Sequence, residues 1–369
     1  LRPENQISFA KENKSHAYYV KQAELWWEEV QKDKHSESAW YNYYRACRNA
    51  QGTANWRTDF VNESPALRLG KDITALMKEH IPGTFTYNFV EGSTRGVSPE
   101  GGEFLLKAYN MNPDFEGLLG DVITYASSTF NHDLRKEANI RWHKKGGISP
   151  ALLNFGYNLL QSTEPHAILL TAHDNDTYPL WMLQEALGVR TDVLVLNIDF
   201  FLFDEYRKKI FGDLGIKPFV LEKVDINEYE TNWENVVKHV LENYTGNRPI
   251  YLSKTLSPKW YSGYEQNCYT SGLAEKFSLQ KQDLRGWNLK LFSDDFRLDE
   301  LRMTLVYDTS NRRVDEMNLG YLDSFYMLYQ QFVQERNDRQ AKEVKDLAIR
   351  LMDRFKASEK VAFYREKFD

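Results

Sequence analysis

The chain has 369 residues, of which 42% are hydrophobic and 14% aromatic, so it can form two or three domains and is not intrinsically disordered. Its net charge of −6 and its scattered Lys and Arg residues disfavour nucleic acid as a partner. No apolar stretch approaches the ~20 residues of a membrane-spanning helix, and the first five residues do not resemble a signal peptide. Cys47 and Cys268 lack the spacing of a metal site, and their disulfide state stays open.

The first 163 residues predict a helical region. Six stretches have helical spacing of their apolar residues: residues 17–32, 38–50, 103–111, 117–129, 134–143 and 150–161. Residues 83–102 are rich in glycine and predict a turn-rich interruption. The small Ala108 and the helix-breaking Pro113 resemble the junction between tetratricopeptide repeats. We therefore expect a degenerate array of helical hairpins.

Aromatic residues are dense near the amino terminus. Consecutive aromatics at residues 26–27 and 43–44 cannot both face one core, so we expect some aromatic surface to be exposed. Helical spacing also allows the alternative that most of them form the core. The predicted partner-binding residues are Trp26, Trp27, Trp40, Tyr43, Tyr44 and Trp56.

Residues 164–297 alternate between strand and helix patterns, as is typical of an α/β domain with a parallel sheet. Strands are predicted at residues 167–172, 193–198, 250–253 and 289–292, and helices at residues 178–187, 203–211 and 232–244. Pro179 lies near the start of the first helix and Gly188 just past its end.

Residues 298–369 return to a helical pattern. Residues 319–334 and 340–355 predict a hairpin, with Ala341 where a tetratricopeptide repeat has a small residue, and residues 358–368 predict a capping helix. The predicted fold class is therefore α/β plus all-α, with tetratricopeptide-like hairpins flanking a small parallel-sheet domain. The predicted domains are residues 1–163, 164–297 and 298–369.

Polar side chains follow the first predicted strand, at the edge where open α/β sheets bind ligands. His173, Asp174, Asn175 and Asp176 form an acidic segment there, and its carboxylate and amide oxygens suit Mg²⁺, Mn²⁺ or Ca²⁺. The alternative is structural, because Asp176 or Thr177 can cap the following helix. The sequence favours capping, so no cofactor is expected, apart from a divalent cation if this segment binds one.

The ends of the next two strands add Asn197, Asp199, Ser253 and Lys254. Together with His173 they would form a polar rim suited to a polyol, a sugar or a cation, although such polarity is also ordinary for a solvated sheet edge. No catalytic residue is predicted, since motifs of nucleophilic or metal-dependent catalysis are absent. The rim also lacks the glycines that let a backbone approach a pyrophosphate, so we expect no nucleotide to bind.

The segment LLTAHDNDTYPLWMLQEALGVRTDVLVLNIDF, residues 169–200, carries a resemblance, which continues through residues 248–258, 271–277 and 311–352. It resembles the soluble region that follows the membrane helices in bacterial polytopic proteins classed as protein O-mannosyltransferase-like glycosyltransferases of poorly known function. The family's transferase chemistry is expected in its membrane half, which this sequence does not contain. The resemblance therefore implies an envelope location without implying glycosyl transfer.

These patterns favour a non-catalytic protein over an enzyme without deciding between them. We expect a scaffold subunit that binds other envelope proteins in a membrane-associated complex, in the bacterial periplasm or at the outer membrane, because helical arrays present extended surfaces to partners. The alternative is a glycan-binding or carbohydrate-processing protein that uses the Asp174–Asn175–Asp176 segment.

Overall fold

The computed structural model describes residues 2–8, 11–12, 14–221, 229–303, 311–356 and 358–368. The chain divides into two compact units, Leu1–Gly147 (unit 1) and Ile148–Asp369 (unit 2). Among the described residues, no helix is both long enough and apolar enough to cross a membrane.

The described part of unit 1 is helical. Its α-helices are α1 (His16–Lys32), α2 (Glu37–Thr53), α3 (Gly70–His80), α4 (Phe85–Arg95), α5 (Pro99–Met111), α6 (Glu116–Ser128) and α7 (His132–Lys144). Several of them begin at a local cap. Ser15 accepts a hydrogen bond from the Tyr18 N–H, and Ser36 accepts one from the Ala39 N–H. Helix α1 packs on α2, α4 on α5, and α6 on α7, which confirms the predicted helical hairpins.

The prediction of a turn-rich interruption at residues 83–102 is wrong, because α4 and the first turn of α5 lie there. Thr84 caps α4, and Ser98 caps α5 with Pro99 at its first position. Gly101 and Gly102 lie within α5 rather than in a turn. A Cβ on Gly102 would collide with the ring of Tyr125, so this glycine permits close helix packing.

The exposed aromatic surface expected from consecutive aromatics does not lie at Tyr43 and Tyr44. Both side chains are buried, because α2 is covered by α1 on one side and by α3 and α4 on others. The Tyr43 hydroxyl donates to the Ala66 carbonyl at 2.6 Å, and the Tyr44 hydroxyl lies 3.0 Å from Ser93 Oγ on α4. A central helix of an array can thus bury more than one face.

Unit 2 contains a five-stranded sheet surrounded by helices. The strands are β1 (Ile168–Thr171), β2 (Leu194–Asn197), β3 (Ile250–Ser253), β4 (Cys268–Ser271) and β5 (Ala274–Phe277). The α-helices are α8 (Pro150–Gln161), α9 (His173–Leu187), α10 (Asp204–Leu214), α11 (Tyr229–Asn243), α12 (Arg285–Lys290), α13 (Asp299–Arg302), α14 (Asn311–Asn318), α15 (Tyr321–Gln334), α16 (Asp338–Arg354) and α17 (Glu359–Phe368).

The strand order is β2-β1-β3-β5-β4. Strand β1 is parallel to both β2 and β3, whereas β5 is antiparallel to β3 and β4, so the sheet is mixed. Ile168, Leu169 and Leu170 are fully buried, which places β1 at the centre of the core of unit 2. The predicted α/β fold with parallel strands is confirmed.

The sequence interpretation of unit 2 fails at one predicted strand and misses two others. Residues 289–292 are helical and bury Leu291 and Phe292, because a short apolar run does not distinguish a strand from a buried helical turn. Strands β4 and β5, whose side chains are mostly half-buried, were not predicted.

The carboxyl-terminal hairpin consists of α15 and α16, which pack against each other, and α17 packs on both. Ala341 is buried at the start of α16, as expected for a small residue at a helix contact. Helix α8 packs on α9 and so belongs to unit 2, whereas the predicted domain boundary lay after residue 163.

Candidate functional site

The carboxyl ends of the parallel strands in unit 2 meet at one edge, which we call the carboxyl edge. Strand β1 lies between β2 and β3, so the connections that leave β1 and β2 run in opposite directions along the sheet. Such a switch in strand order leaves a crevice beyond the strand ends, where α/β proteins bind ligands.

The predicted acidic loop is in fact the start of α9, which begins at His173 directly after β1. The N-cap residue, Ala172, has no side-chain acceptor. Instead, Asp176 Oδ2 accepts the Ala172 N–H at 3.0 Å, and Asp199 Oδ2 accepts the His173 N–H at 2.9 Å. These carboxylates satisfy N–H groups that a helix start leaves free. Pro179 lies inside the helix, not near its start.

Asp176 is almost fully buried. Its Oδ1 accepts a hydrogen bond from Ser253 Oγ at 2.9 Å, and Ser253 Oγ lies 2.9 Å from Thr255 Oγ1. Burial raises the pKa of Asp176 to about 6, although the hydrogen bonds to Thr255, Ala172 and Ser253 lower it. The Asp176–Ser253 bond therefore joins the ends of β1 and β3 and leaves this carboxylate inaccessible to a ligand.

His173 is the most prominent side chain of the carboxyl edge. Its ring is 58% exposed, and its Nδ1 lies 3.1 Å from Asp199 Oδ2. The hydrogen bond to Asp199 raises the pKa of His173, against the lowering effect of burial. The backbone of His173 has φ of +62°, a conformation that is uncommon outside glycine and is often found at functional sites.

Two tryptophans that were not predicted border His173. The centroid of its ring lies 5.3 Å from that of Trp233 on α11 and 6.3 Å from that of Trp260, and both contacts are edge-to-face. Trp260 Nε1 donates to Glu230 at 2.7 Å. Nothing in the sequence connects these residues with His173, because α11 and the segment after β3 reach it only through the fold.

Lys254 does not join the predicted rim. Its ammonium group contacts Glu275 and lies 2.7 Å from Asp323 Oδ2, and Asp323 also accepts from Lys360 and Tyr364; we call these five residues the ion cluster. Burial alone would lower the pKa of Lys254, but the two carboxylates raise it above its usual range. Adjacent strand-end residues point to opposite sides, so Ser253 faces Asp176 while Lys254 faces this cluster.

The other predicted rim residues have varied positions. Asn197 is buried, and its side chain accepts the Asp199 N–H at 2.8 Å, which fixes the turn after β2. Asp174 is exposed and Asn175 is half-buried on the first turn of α9. Among the described residues, no group of three or more His, Cys, Asp or Glu side chains is arranged to hold a metal ion.

The predicted partner-binding aromatics of unit 1 differ in exposure. Trp40, Tyr43 and Tyr44 are buried in the core of unit 1. Trp26 and Trp27 are half-buried, and the Trp27 ring packs 5.1 Å from Tyr43. Trp56 is 51% exposed, so it alone of these six side chains is mostly at the surface.

A groove of about 410 Å³ lies elsewhere in unit 1, and we call it the aromatic groove. It is lined by Glu37, Ser38, Tyr41, Phe85, Thr86, Met111, Asn112 and Phe115. The ring of Phe115 packs 4.8 Å from Phe85 and 5.0 Å from Tyr41, and all three rings are half-buried. Met111 is 55% exposed at its rim. Phe85 and Thr86 of this groove lie in residues 83–102, whose glycines indicate turns rather than a helix, so no signal in the sequence indicated the groove.

One family model matches the chain. Residues 152–213 match the model described as TMEM260-associated domain 2. The match runs from α8 through β1, α9 and β2 into α10, so it includes His173, Asp176 and Asp199 but only a minor part of the chain. It also spans residues 169–200, which carry the family resemblance described above. No curated protein matches the chain.

Proposed function

We propose that this chain is a non-catalytic scaffold subunit that binds other proteins through the aromatic groove of unit 1. The observation that carries the proposal is the groove itself. Its volume lies within the range of sites that hold a ligand or an anchoring side chain. Its half-buried aromatic rings and the exposed methionine at its rim are suited to a protein partner, because aromatic side chains are enriched at interfaces and methionine is common at adaptable binding surfaces.

We further propose that the partners are envelope proteins in a membrane-associated assembly of a bacterial periplasm or outer membrane. This part rests on the resemblance of residues 169–200 to the soluble region of an envelope family. The family-model match overlaps those residues and supports a related domain at that place. The cellular compartment is proposed on the basis of this resemblance.

The experiment uses the full chain and two matched variants. Met111→Glu places a charge at the rim of the groove, whereas Met303→Glu places one at a methionine of similar exposure in unit 2. We expect Met111→Glu to weaken recovery of native partners by about tenfold or more, since loss of one anchor costs about 2 kcal/mol, and Met303→Glu to leave it unchanged.

A photo-crosslinking residue at position 111 should then label the same partner, and one at position 303 should not. The proposal fails if Met111→Glu, shown to be folded by circular dichroism, retains every partner of the wild type. It also fails if gentle native extraction yields a monomer without any partner.

The predicted alternative was a glycan-binding or carbohydrate-processing protein that uses the Asp174–Asn175–Asp176 segment. Asp176 is buried and bonded within the protein, so this segment offers fewer free oxygens than its sequence implied. The neighbouring ring of His173, by contrast, is exposed at the carboxyl edge.

A further inference from the structure

We propose that unit 2 docks an acidic segment of a partner protein in a groove beside α16, which we call the basic groove. Its charged lining consists of Arg302, Arg339, Lys342, Glu343, Asp346 and Arg350. The inference goes beyond the aromatic groove and does not depend on it, because the two grooves lie in different units and differ in chemistry.

The shape of the basic groove is the first reason. Its volume is about 420 Å³. The residues of α16 that line it follow one another at intervals of three or four positions, so they form one face of that helix. From Arg339 to Arg350 this face extends over about 16 Å, the length of roughly five residues of extended chain. Arg302, at the end of α13, adds a wall from a second helix. The groove is therefore elongated, as a bound peptide segment requires.

The charge of the basic groove is the second reason. Four cationic and two acidic side chains line it, whereas the whole chain has a net charge of −6. Arg339 and Lys342 are exposed, and within the described part of the chain neither has a carboxylate at ion-pair distance. Their charges are therefore available to attract and orient an acidic partner.

The third reason is that the wall at Arg302 is held in place before any partner binds. Arg302 Nη2 lies 2.9 Å from Glu343 Oε1, and the guanidinium of Arg350 donates to the Arg302 carbonyl. Arg354 donates to the Glu300 carbonyl at 2.9 Å, which adds a further link between α13 and α16. A site that is already ordered loses less conformational entropy when a ligand binds.

The mixture of charges favours a protein segment over a phosphate group or an anionic membrane. Glu343 and Asp346 lie among the cations of the groove and would repel a dense negative charge. A peptide can place separate carboxylates on Arg339 and Lys342 and a hydrogen-bond donor on Asp346. The buried Leu347 adds a small apolar surface to the lining. Arginine is also one of the side chains enriched at protein interfaces.

The test measures peptide binding to the full chain by fluorescence anisotropy. The probes are short labelled peptides that differ in the spacing of their glutamates, with leucine and alanine between them, and the same peptides with glutamine in place of glutamate. Inorganic phosphate and vesicles that contain phosphatidylserine are tested by calorimetry and by co-sedimentation. We expect at least one acidic peptide to bind at low salt with a dissociation constant between about 1 μM and 1 mM. Added salt should weaken this binding, because it screens exposed charges.

Two matched double variants locate the site. Arg339→Gln with Lys342→Gln removes two cations of the groove, so we expect the best acidic peptide to bind at least about tenfold more weakly. Glutamine is nearly as good a helix former as the residues it replaces, so α16 should stay folded. Lys144→Gln with Lys145→Gln removes two exposed lysines of unit 1 and changes the net charge equally, so it should leave binding unchanged.

A charge reversal separates a lost contact from a lost fold. Arg339→Glu with Lys342→Glu should abolish binding of the acidic peptide and create binding of its counterpart that has lysine in place of glutamate. A misfolded protein would bind neither peptide, and circular dichroism checks the fold. Binding of the acidic peptide by the reversed protein at the strength of the wild type contradicts the proposal.

The inference is overturned if no acidic peptide binds the folded wild type at about 1 mM and low salt, or if the glutamine peptides bind equally well. It is also overturned if phosphate or the vesicles bind more tightly than every peptide, or if the two double glutamine variants bind alike. None of these outcomes involves the aromatic groove. Because Met303 follows Arg302, the Met303→Glu control of the aromatic groove is scored on the partner that position 111 labels.

Discussion

Helices of unit 1 and helix α9 of unit 2 begin in different ways. Ser15 and Ser36 each accept the N–H three residues later, so α1 and α2 carry their own caps. Helix α9 follows a strand and has no such cap. Its first N–H groups are accepted by Asp176, inside the helix, and by Asp199, which lies 26 residues beyond His173. A local cap forms with its helix, whereas the start of α9 requires the assembled sheet.

The same contrast holds for charged groups. In unit 1, Lys21 and Glu24 form an exposed pair three residues apart on one helix. In unit 2, Lys254 is almost fully buried and bonds to Asp323, which is 69 residues away in sequence. Exposed local pairs contribute little to stability, whereas loss of one member of a buried pair leaves an uncompensated charge.

The largest predicted effect tests that contrast. Lys254→Met removes the cation between Glu275 and Asp323, so we expect the free energy of unfolding to fall by about 3–5 kcal/mol. Urea denaturation followed by circular dichroism measures the change. Lys21→Met, in the exposed pair, should leave the transition unchanged, and equal losses in the two variants would contradict the distinction.

A smaller loss is expected at the start of α9. Asp176→Ala removes the acceptor of both the Ala172 N–H and the Ser253 hydroxyl, which should cost about 1–3 kcal/mol. Asp176→Asn keeps a carbonyl oxygen and can donate to Ser253, so it should cost clearly less. If the alanine and asparagine variants unfold at the same urea concentration, the side chain does not hold the strand ends together as described.

The pH dependence of Asp176 follows from its burial. Its pKa is about 6 in the folded chain against an ordinary value of 3.8, so the folded state holds the proton more tightly than the unfolded state. The contribution of this group to stability is therefore present below about pH 4 and is lost as the pH rises towards 6. Denaturation at both pH values should show this slope in the wild type and a flatter one in Asp176→Asn.

The local caps of unit 1 should give a still smaller effect. Ser36→Ala removes the acceptor of the Ala39 N–H, which should cost about 1 kcal/mol. Ser38→Ala, at an exposed position two residues later, serves as the control. A larger loss from Ser36→Ala than from Asp176→Ala would reverse the order that the comparison predicts.

The smallest effect concerns proton binding rather than folding. The pKa of His173 is raised by its hydrogen bond to Asp199, so Asp199→Asn should lower it. An NMR titration of the imidazole resonances measures the shift. Asp213→Asn, which removes an exposed carboxylate on α10, should not move it. If Asp199→Asn leaves the titration of His173 unchanged, the two side chains do not interact in solution.

Much of the fold was predictable because it depends on local signals. The helical spacing of residues 150–161 predicts α8 with the same bounds that the structure shows, Pro150–Gln161. The apolar runs of β1, β2 and β3 likewise predicted the three parallel strands. The prediction failed where one residue pattern is compatible with two structures. Glycine in residues 83–102 allows close helix packing as well as a turn. The apolar run at residues 289–292 forms a buried helix rather than a strand.

The site was predictable only in part. His173 and Asp199 were named from their positions after strands, and the structure brings them into contact. Asp176 was named for the same reason but is buried, and Lys254 points to another cluster. Trp233 and Trp260 carried no signal, since their contact with His173 depends on where α11 and the segment after β3 pack.

The sequence by itself determined most of the helices and the three parallel strands, because caps, apolar periodicity and short apolar runs act within a few residues. It also determined that polar residues follow the parallel strands. The tertiary structure decided which of those residues are buried, which contact one another and which remain at the surface. Asp176 and His173 lie three residues apart in sequence. Asp176 is buried and accepts a hydrogen bond from Ser253, whereas His173 faces solvent beside two tryptophans. Burial and partner choice depend on segments distant in sequence, and only packing brings those segments together.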